Sequence, residues 1–131
     1  MLFVCYPKCG TCQKAKKWLD AQGIAYTERL IHQDNPSYEE LKEWQQRSGL
    51  PLKKFFNTSG LLYKSMQLKD KLPQMSEEEQ LRLLATDGML VKRPLLILDQ
   101  EQAGIVTADA TKASVLVGFR EAQWQAALAE K

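Results

Sequence analysis

Cys9 and Cys12 stand three apart in Val4-Cys5-Tyr6-Pro7-Lys8-Cys9-Gly10-Thr11-Cys12, behind an apolar run, Leu2-Phe3-Val4, and ahead of a helical pattern. Residues three apart share a helix face, with Cα atoms about 5 Å apart. That lies inside the window of about 4.4–6.8 Å that a disulfide spans, so the two sulfurs can join and part with little backbone movement. A helix N-terminus favours the thiolate of the first cysteine through its free N–H groups and its dipole. Lys8 and Lys14 add positive charge nearby. A cysteine pair of this spacing at a strand–helix junction predicts redox chemistry. A zinc site would need two further ligands, and only Cys5 and His32 are at hand, so no metal site is expected. Cys5 itself reads as a buried small hydrophobe.

The elements that must position this pair follow from the hydrophobic pattern. Residues 1–5 read as a buried strand. Cys12 to Gln22 reads as a helix with Ala15, Trp18, Leu19 and Gln22 on one stripe, stopped by Gly23. Ile24 to Ile31 alternates and reads as a second strand, parallel to the first across the helical crossover. Ser37 with Glu40, and Ser76 with Glu79, have capping-box spacing and open two later helices. The first carries Leu41 and Trp44 and runs to Gly49; the second carries Leu81, Leu84 and Ala85 and runs to Gly88. Between them lie a short helix over Pro51–Phe56, a turn at Asn57-Thr58-Ser59-Gly60, and a short helix over Leu61–Leu68. Leu95–Leu98 and Ser114–Phe119 are apolar strands expected to pair antiparallel, joined by a loop with Asp99, Gly104, Asp109 and Thr111. Arg120–Lys131 is a terminal helix with Trp124, Ala127 and Leu128 facing inward. The predicted fold is α/β: a thioredoxin-like core of about four strands in a mixed sheet, with an inserted helical subdomain. The whole chain, 1–131, is one domain, with 1–36 and 92–131 as the core and 37–91 as the insertion.

Composition bounds the function. The chain has 131 residues, 44% hydrophobic and 26% charged, with a formal net charge of +2. That suits one domain with its own core, and the small charge gives no argument for direct nucleic-acid or membrane binding. No apolar run is long enough to span a bilayer, and the N-terminus lacks the pattern of a signal peptide. Three cysteines are too few for a disulfide scaffold, so a reducing, cytoplasmic setting is predicted.

Two longer segments carry a family signature: Tyr6-Pro7-Lys8-Cys9-Gly10-Thr11-Cys12 and Val91-Lys92-Arg93-Pro94-Leu95. With Leu52-Lys53-Lys54-Phe55-Phe56-Asn57-Thr58-Ser59-Gly60 and Leu116-Val117-Gly118-Phe119, they resemble the arsenate reductase (ArsC)/Spx family over nearly the whole chain. The resemblance implies a thioredoxin-like core with helices inserted between its halves. It implies that Cys9 is the nucleophile; Cys12, at disulfide spacing, is expected to resolve its adducts as a Cys9–Cys12 disulfide. It also implies that Arg93 is one of the arginines that bind the oxyanion and that Pro94 follows a cis bond; Gly10, Thr11 and Asn57 are expected to complete the substrate site. In such a fold the loop before Pro94 faces the cysteines, where a guanidinium can hold an anion and favour the Cys9 thiolate. Lys92 is expected to be a solvated neighbour, and Lys53 and Lys54 a solvated helix face or a replacement for missing arginines.

The chain also departs from the reductases it resembles. Those use three arginines, and two of the positions fall here at Asn57 and Gly118. They carry no second cysteine at Cys12, whereas the Spx-type regulators do. Two functions follow as expectations. One is a thiol oxidoreductase of the arsenate reductase family acting on arsenate or a disulfide, with no bound cofactor, reset by glutathione, glutaredoxin or thioredoxin. The alternative is a redox-sensing regulator that binds RNA polymerase through its alpha subunit.

Overall fold

A computed structural model describes residues 1–98 and 114–128. The predicted loop residues Asp99, Gly104, Asp109 and Thr111, and the end of the terminal helix from 129 on, lie outside the described residues. Four strands form one sheet: β1 (Leu2–Cys5), β2 (Thr27–Leu30), β3 (Leu95–Ile97) and β4 (Val115–Val117). Their order is β2-β1-β3-β4. β1 and β2 run parallel, with Phe3 opposite Glu28 and Cys5 opposite Leu30. β1–β3 and β3–β4 are antiparallel, with Leu96 opposite Phe3 on one side and Leu116 on the other. The mixed sheet matches the thioredoxin-like core expected from the sequence.

Successive strand residues point to opposite faces, and both faces here are covered. Phe3, Cys5, Leu96 and Leu116 turn toward α1 (Gly10–Ala21) and α6 (Glu121–Leu128), packing with Cys12, Ala15, Leu19 and Trp124. Val4, Leu95, Ile97 and Val115 turn toward the helices between β2 and β3. That second layer comprises α2 (Tyr38–Ser48), a 3₁₀ turn at Leu52–Phe55, α3 (Leu61–Ser65), α4 (Leu68–Lys71), a 3₁₀ turn at Leu72–Gln74, α5 (Glu77–Leu84) and a last 3₁₀ turn at Gly88–Leu90. A strand buried on both faces needs a continuous apolar run, which is why β1 and β3 read as uninterrupted hydrophobic segments.

Local signals set the helix ends. Ser37 and Ser76 each accept the N–H of a glutamate three residues on, while Glu40 and Glu79 accept the serine N–H in return. Several boundaries differ from the pattern reading, each for a local reason. α1 starts at Gly10 rather than Cys12, because Cys9 is its extended N-cap. Gln22 is the C-cap of α1 and exposed, so it does not extend the apolar stripe, and Trp18 is half-buried. β2 begins only at Thr27, because Ile24 is still bonded back to Leu19 at the helix exit. The expected helix over Leu61–Leu68 breaks where Gln67 takes a left-handed conformation, φ 54°. The Pro51–Phe56 helix is a 3₁₀ turn. β4 is shorter than Ser114–Phe119 because Gly118, at φ +73°, turns the chain out of the sheet.

Two arginines tie the insertion to the sheet. Arg29 on β2 reaches Glu40 of α2 through both terminal nitrogens, at 2.6 and 2.8 Å. Arg47 of α2 donates to the Ser114 hydroxyl at 2.8 Å and to the Leu98 carbonyl at 2.6 Å, clasping the ends of β3 and β4 together. Phe56 bridges Val91, the Asn57 N–H bonds the Leu90 carbonyl, and the Lys92 N–H bonds the Phe55 carbonyl. The insertion thereby delivers Asn57 to the loop that carries Arg93.

Candidate functional site

The loop after β1 turns at Tyr6-Pro7-Lys8 and places Cys9 at the head of α1. The turn is closed by the Cys9 N–H on the Tyr6 carbonyl, 3.0 Å, and braced by the Gln13 side chain on the Pro7 carbonyl, 2.7 Å. Among the described residues no side-chain oxygen caps this helix, and no acidic residue lies in its first turn. Its first N–H groups are therefore left to Cys9, which is partly exposed while Cys12 is buried.

The three thiols are strongly differentiated. Burial works to raise the Cys9 pKa. It is outweighed by the Cys12 N–H, the Cys12 thiol, the Thr11 N–H and the positive charge of Arg93, so the net shift is downward. Cys12 is pushed up to about 12 by burial, by its hydrogen bond to Cys9 and by the charges of Cys9 and Cys5. The Tyr6 N–H, at 3.4 Å from the Cys12 sulfur, works against that rise. Cys5 is likewise raised to about 12, by burial first and then by its bond to Glu28, whose carboxylate accepts the Cys5 thiol proton at 3.3 Å. One thiol is thus prepared to ionise and two are held protonated.

Arg93 and Pro94 are joined by a cis peptide bond. The Arg93 guanidinium lies over the Tyr6 ring, 5.0 Å from its centroid, and Tyr6 meets His32 edge-on from another side at 5.1 Å. Its Nε and Nη1 atoms are buried and have no hydrogen-bond partner among the described residues. A buried charged donor left unpaired is costly; here two such nitrogens belong to the guanidinium whose positive charge helps lower the Cys9 pKa. Among the described residues, no group of three or more His, Cys, Asp or Glu side chains is placed to hold a metal ion.

The other positions singled out in the sequence divide. Thr11 bears on Cys9 through its backbone N–H. Gly10 is exposed, and a Cβ there would meet nothing within 4 Å, so the site is open at that point. The Asn57 side chain folds back onto its own turn, its amide nitrogen 2.7 Å from where a Gly60 Cβ would stand. Gly118 donates its N–H to the Pro94 carbonyl at 2.8 Å. Lys92, expected to be a solvated neighbour, is half-buried, and its Cε lies 3.5 Å from where a Gly118 Cβ would stand. The Lys92 side chain thus lies against Gly118 from the neighbouring loop, a placement that spacing along the chain cannot show. Lys53 and Lys54 are exposed on the Leu52–Phe55 turn. The set Cys5–Glu28–Lys16 was also not legible as a unit: its members lie on β1, β2 and α1.

Fold and site together define a thioredoxin-like protein with a Cys-x-x-Cys pair at the head of its first helix. The chain belongs to the ArsC family, whose model matches residues 5–127. It is 53% identical over 125 residues to the Bacillus subtilis (strain 168) protein YusI, covering 95% of each chain. It is 31% identical over 97 residues to the regulatory protein MgsR of the same organism, covering 74% of this chain and 75% of that one. Among solved structures it is similar to an ArsC family related protein from Bacteroides fragilis, with TM-score 0.82 and 54% identity over 96% and 95% of the two chains. It is also similar to a possible arsenate reductase from Streptococcus mutans UA159, with TM-score 0.74 and 42% identity over 91% and 90%. The family therefore joins reductase-like and regulatory proteins.

Proposed function

We propose that this protein is a thiol oxidoreductase in which Cys9 is the nucleophile, Cys12 resolves its adducts, and Arg93 binds the anionic group of the electrophile. The observation that carries this reading is the two buried Arg93 nitrogens, unpartnered among the described residues, in a guanidinium whose charge helps lower the Cys9 pKa. With a disulfide substrate, the Cys9 thiolate attacks one sulfur and a thiolate leaves. Cys12 then gives up its proton and attacks the Cys9 sulfur, and the second thiolate leaves as the Cys9–Cys12 bond forms. With arsenate, Cys9 replaces one arsenic-bound oxygen, which departs as water. Attack on the Cys9 sulfur then leaves the bonding pair on arsenic, giving arsenite. An external thiol such as glutathione, glutaredoxin or thioredoxin returns the pair to the reduced state.

A steady-state assay with glutathione and glutaredoxin, run in parallel on arsenate and on a small-molecule disulfide, tests the reading. Turnover of either substrate that is lost in both Cys9→Ser and Arg93→Ala supports it; no turnover of either one sinks it. The likeness to a regulatory protein supports a second reading, in which this protein is a regulator; on the resemblance drawn from the sequence, the same pair would then be its redox sensor and RNA polymerase its partner. Capture of the polymerase alpha subunit that depends on the Cys9–Cys12 redox state, with no turnover, selects that alternative.

A further inference from the structure

Tyr6 takes no part in the scheme above, yet it contacts both cysteines and Arg93. It directly follows β1. Its carbonyl accepts the Cys9 N–H at 3.0 Å, and its own N–H lies 3.4 Å from the Cys12 sulfur. Its side chain is partly buried and packs against the core on the insertion side of the sheet. The Arg93 guanidinium lies over the ring, its carbon 5.0 Å from the centroid. His32 meets the ring edge-on, with centroids 5.1 Å apart and planes at 77°. The Ile31 N–H bonds the Cys5 carbonyl at 2.8 Å, which continues the β1–β2 register and sets His32 beside Tyr6. Among the described residues the Tyr6 hydroxyl has no hydrogen-bond partner.

Arg93 is held differently from the arginines that brace the fold. Arg29 and Arg82 also lie over aromatic rings, at 5.7 and 4.7 Å, but each of them, like Arg47, reaches a carboxylate. Arg93 reaches none among the described residues, and its buried Nε and Nη1 have no hydrogen-bond partner there. A carboxylate would occupy the N–H donors and offset the charge, and it would repel an incoming anion. An aromatic face attracts a guanidinium through its quadrupole and takes up none of the N–H groups in the guanidinium plane. We propose that Tyr6 is the positioning residue for Arg93: its ring holds the guanidinium on the cysteine loop and leaves the charge and the N–H donors to the anionic group of the electrophile. This rests on the reading of Arg93 as the anion-binding residue. The working part is the ring and not the phenol hydroxyl. Because the Tyr6 backbone is bonded to both cysteines, the same residue fixes the guanidinium relative to the Cys9–Cys12 pair.

The test uses the full reduced chain. Calorimetry reads sulfate binding, and the pH dependence of iodoacetamide alkylation reads the Cys9 midpoint. Tyr6→Leu and Tyr6→Met keep an apolar side chain without a ring. Each should lower sulfate affinity about three- to thirtyfold, the span of a cation–π contact, and raise the Cys9 midpoint. Tyr6→Phe keeps the ring and should retain both values. The midpoint shift should vanish when Tyr6→Leu is made in Arg93→Ala, because the ring acts through the guanidinium. A residue that merely shapes the loop would shift the midpoint in both backgrounds. In the parent itself, the ring current should move the Arg93 side-chain proton resonances, assigned by their loss in Arg93→Ala, upfield of their ordinary positions. Ordinary positions for those resonances overturn this inference, even where a ring-less variant fails to fold. So do parent-like sulfate affinity and Cys9 midpoint in Tyr6→Leu, an equal loss in Tyr6→Phe, or a midpoint shift that persists without Arg93. Sulfate affinity that is the same in the parent and in Arg93→Ala overturns the reading of Arg93, and this inference with it.

Discussion

At the scale of single residues, the three cysteines show how position assigns reactivity to identical side chains. Cys9 receives backbone N–H groups and the Arg93 charge, while Cys12 and Cys5 receive burial and negative neighbours. Iodoacetamide should therefore alkylate Cys9 first, with a rate midpoint below the ordinary thiol value of 9.0. Peptide mapping checks it, and first labelling at Cys5 or Cys12 contradicts the arrangement. Arg93→Ala should raise that midpoint and weaken binding of arsenate or sulfate. Lost hydrogen bonds to a charged group cost about 1.5–3 kcal/mol, about ten- to a hundredfold in affinity. Arg93→Lys should recover only part, because a point charge does not reproduce a planar fork. Calorimetry on both variants decides it; an unmoved Cys9 midpoint in Arg93→Ala removes the guanidinium from the site.

At the scale of elements, the sheet is braced by contacts between segments far apart in sequence. Gly88 opens the last 3₁₀ turn directly against the end of β2, where a Cβ would come 2.1 Å from the Ile31 carbonyl oxygen. Gly88→Ala must push one backbone off the other, and overpacking of this kind costs about 1–3 kcal/mol. Urea unfolding reads it, and a midpoint equal to the parent's refutes the close approach. The Arg29–Glu40 pair joins β2 to α2, and hydrogen bonds from Arg29 hold the Glu40 carboxyl below its ordinary 4.5. A carboxyl with a depressed folded-state pKa contributes stability that is complete above the unfolded value and fades as pH falls through the folded one. The parent should accordingly lose stability below about pH 4.5, and Glu40→Gln should show a shallower acid limb in the same titration. The two capping boxes, Ser37 with Glu40 and Ser76 with Glu79, were legible because a cap is written within four residues. The break at Gln67 was not, since no local residue type demands a left-handed turn there.

At the scale of the whole molecule, both faces of one small sheet are closed by separate helical layers, and the cysteine pair lies on only one of them. Cys9 and Cys12 are a helical turn apart, so joining them asks for a local adjustment at the head of α1. Oxidation by mild peroxide should alter amide hydrogen exchange in the Tyr6–Gln13 segment and around Arg93. Exchange in α2 and α5 should stay as in the reduced protein. Exchange mass spectrometry on the two forms checks it, and changes spreading into the insertion would show that the layers are coupled through the sheet.

The cysteine spacing, the apolar runs of β1 and β3, the capping serines and the Arg93-Pro94 pair are local in sequence, and local geometry fixes their consequences. They determined the α/β class, the crossover that makes β1 and β2 parallel, and the place of Cys9 and Cys12 at a helix head. What the tertiary structure alone decided are the relations between segments brought together by packing. Among these are the Arg93 guanidinium over Tyr6, with two nitrogens unpaired among the described residues, Lys92 lying against Gly118, and Asn57 delivered through the Phe56–Val91 bridge. The bond from Cys5 to Glu28 belongs with them: strand register turns those two side chains to the same face, and no spacing along the chain records that register.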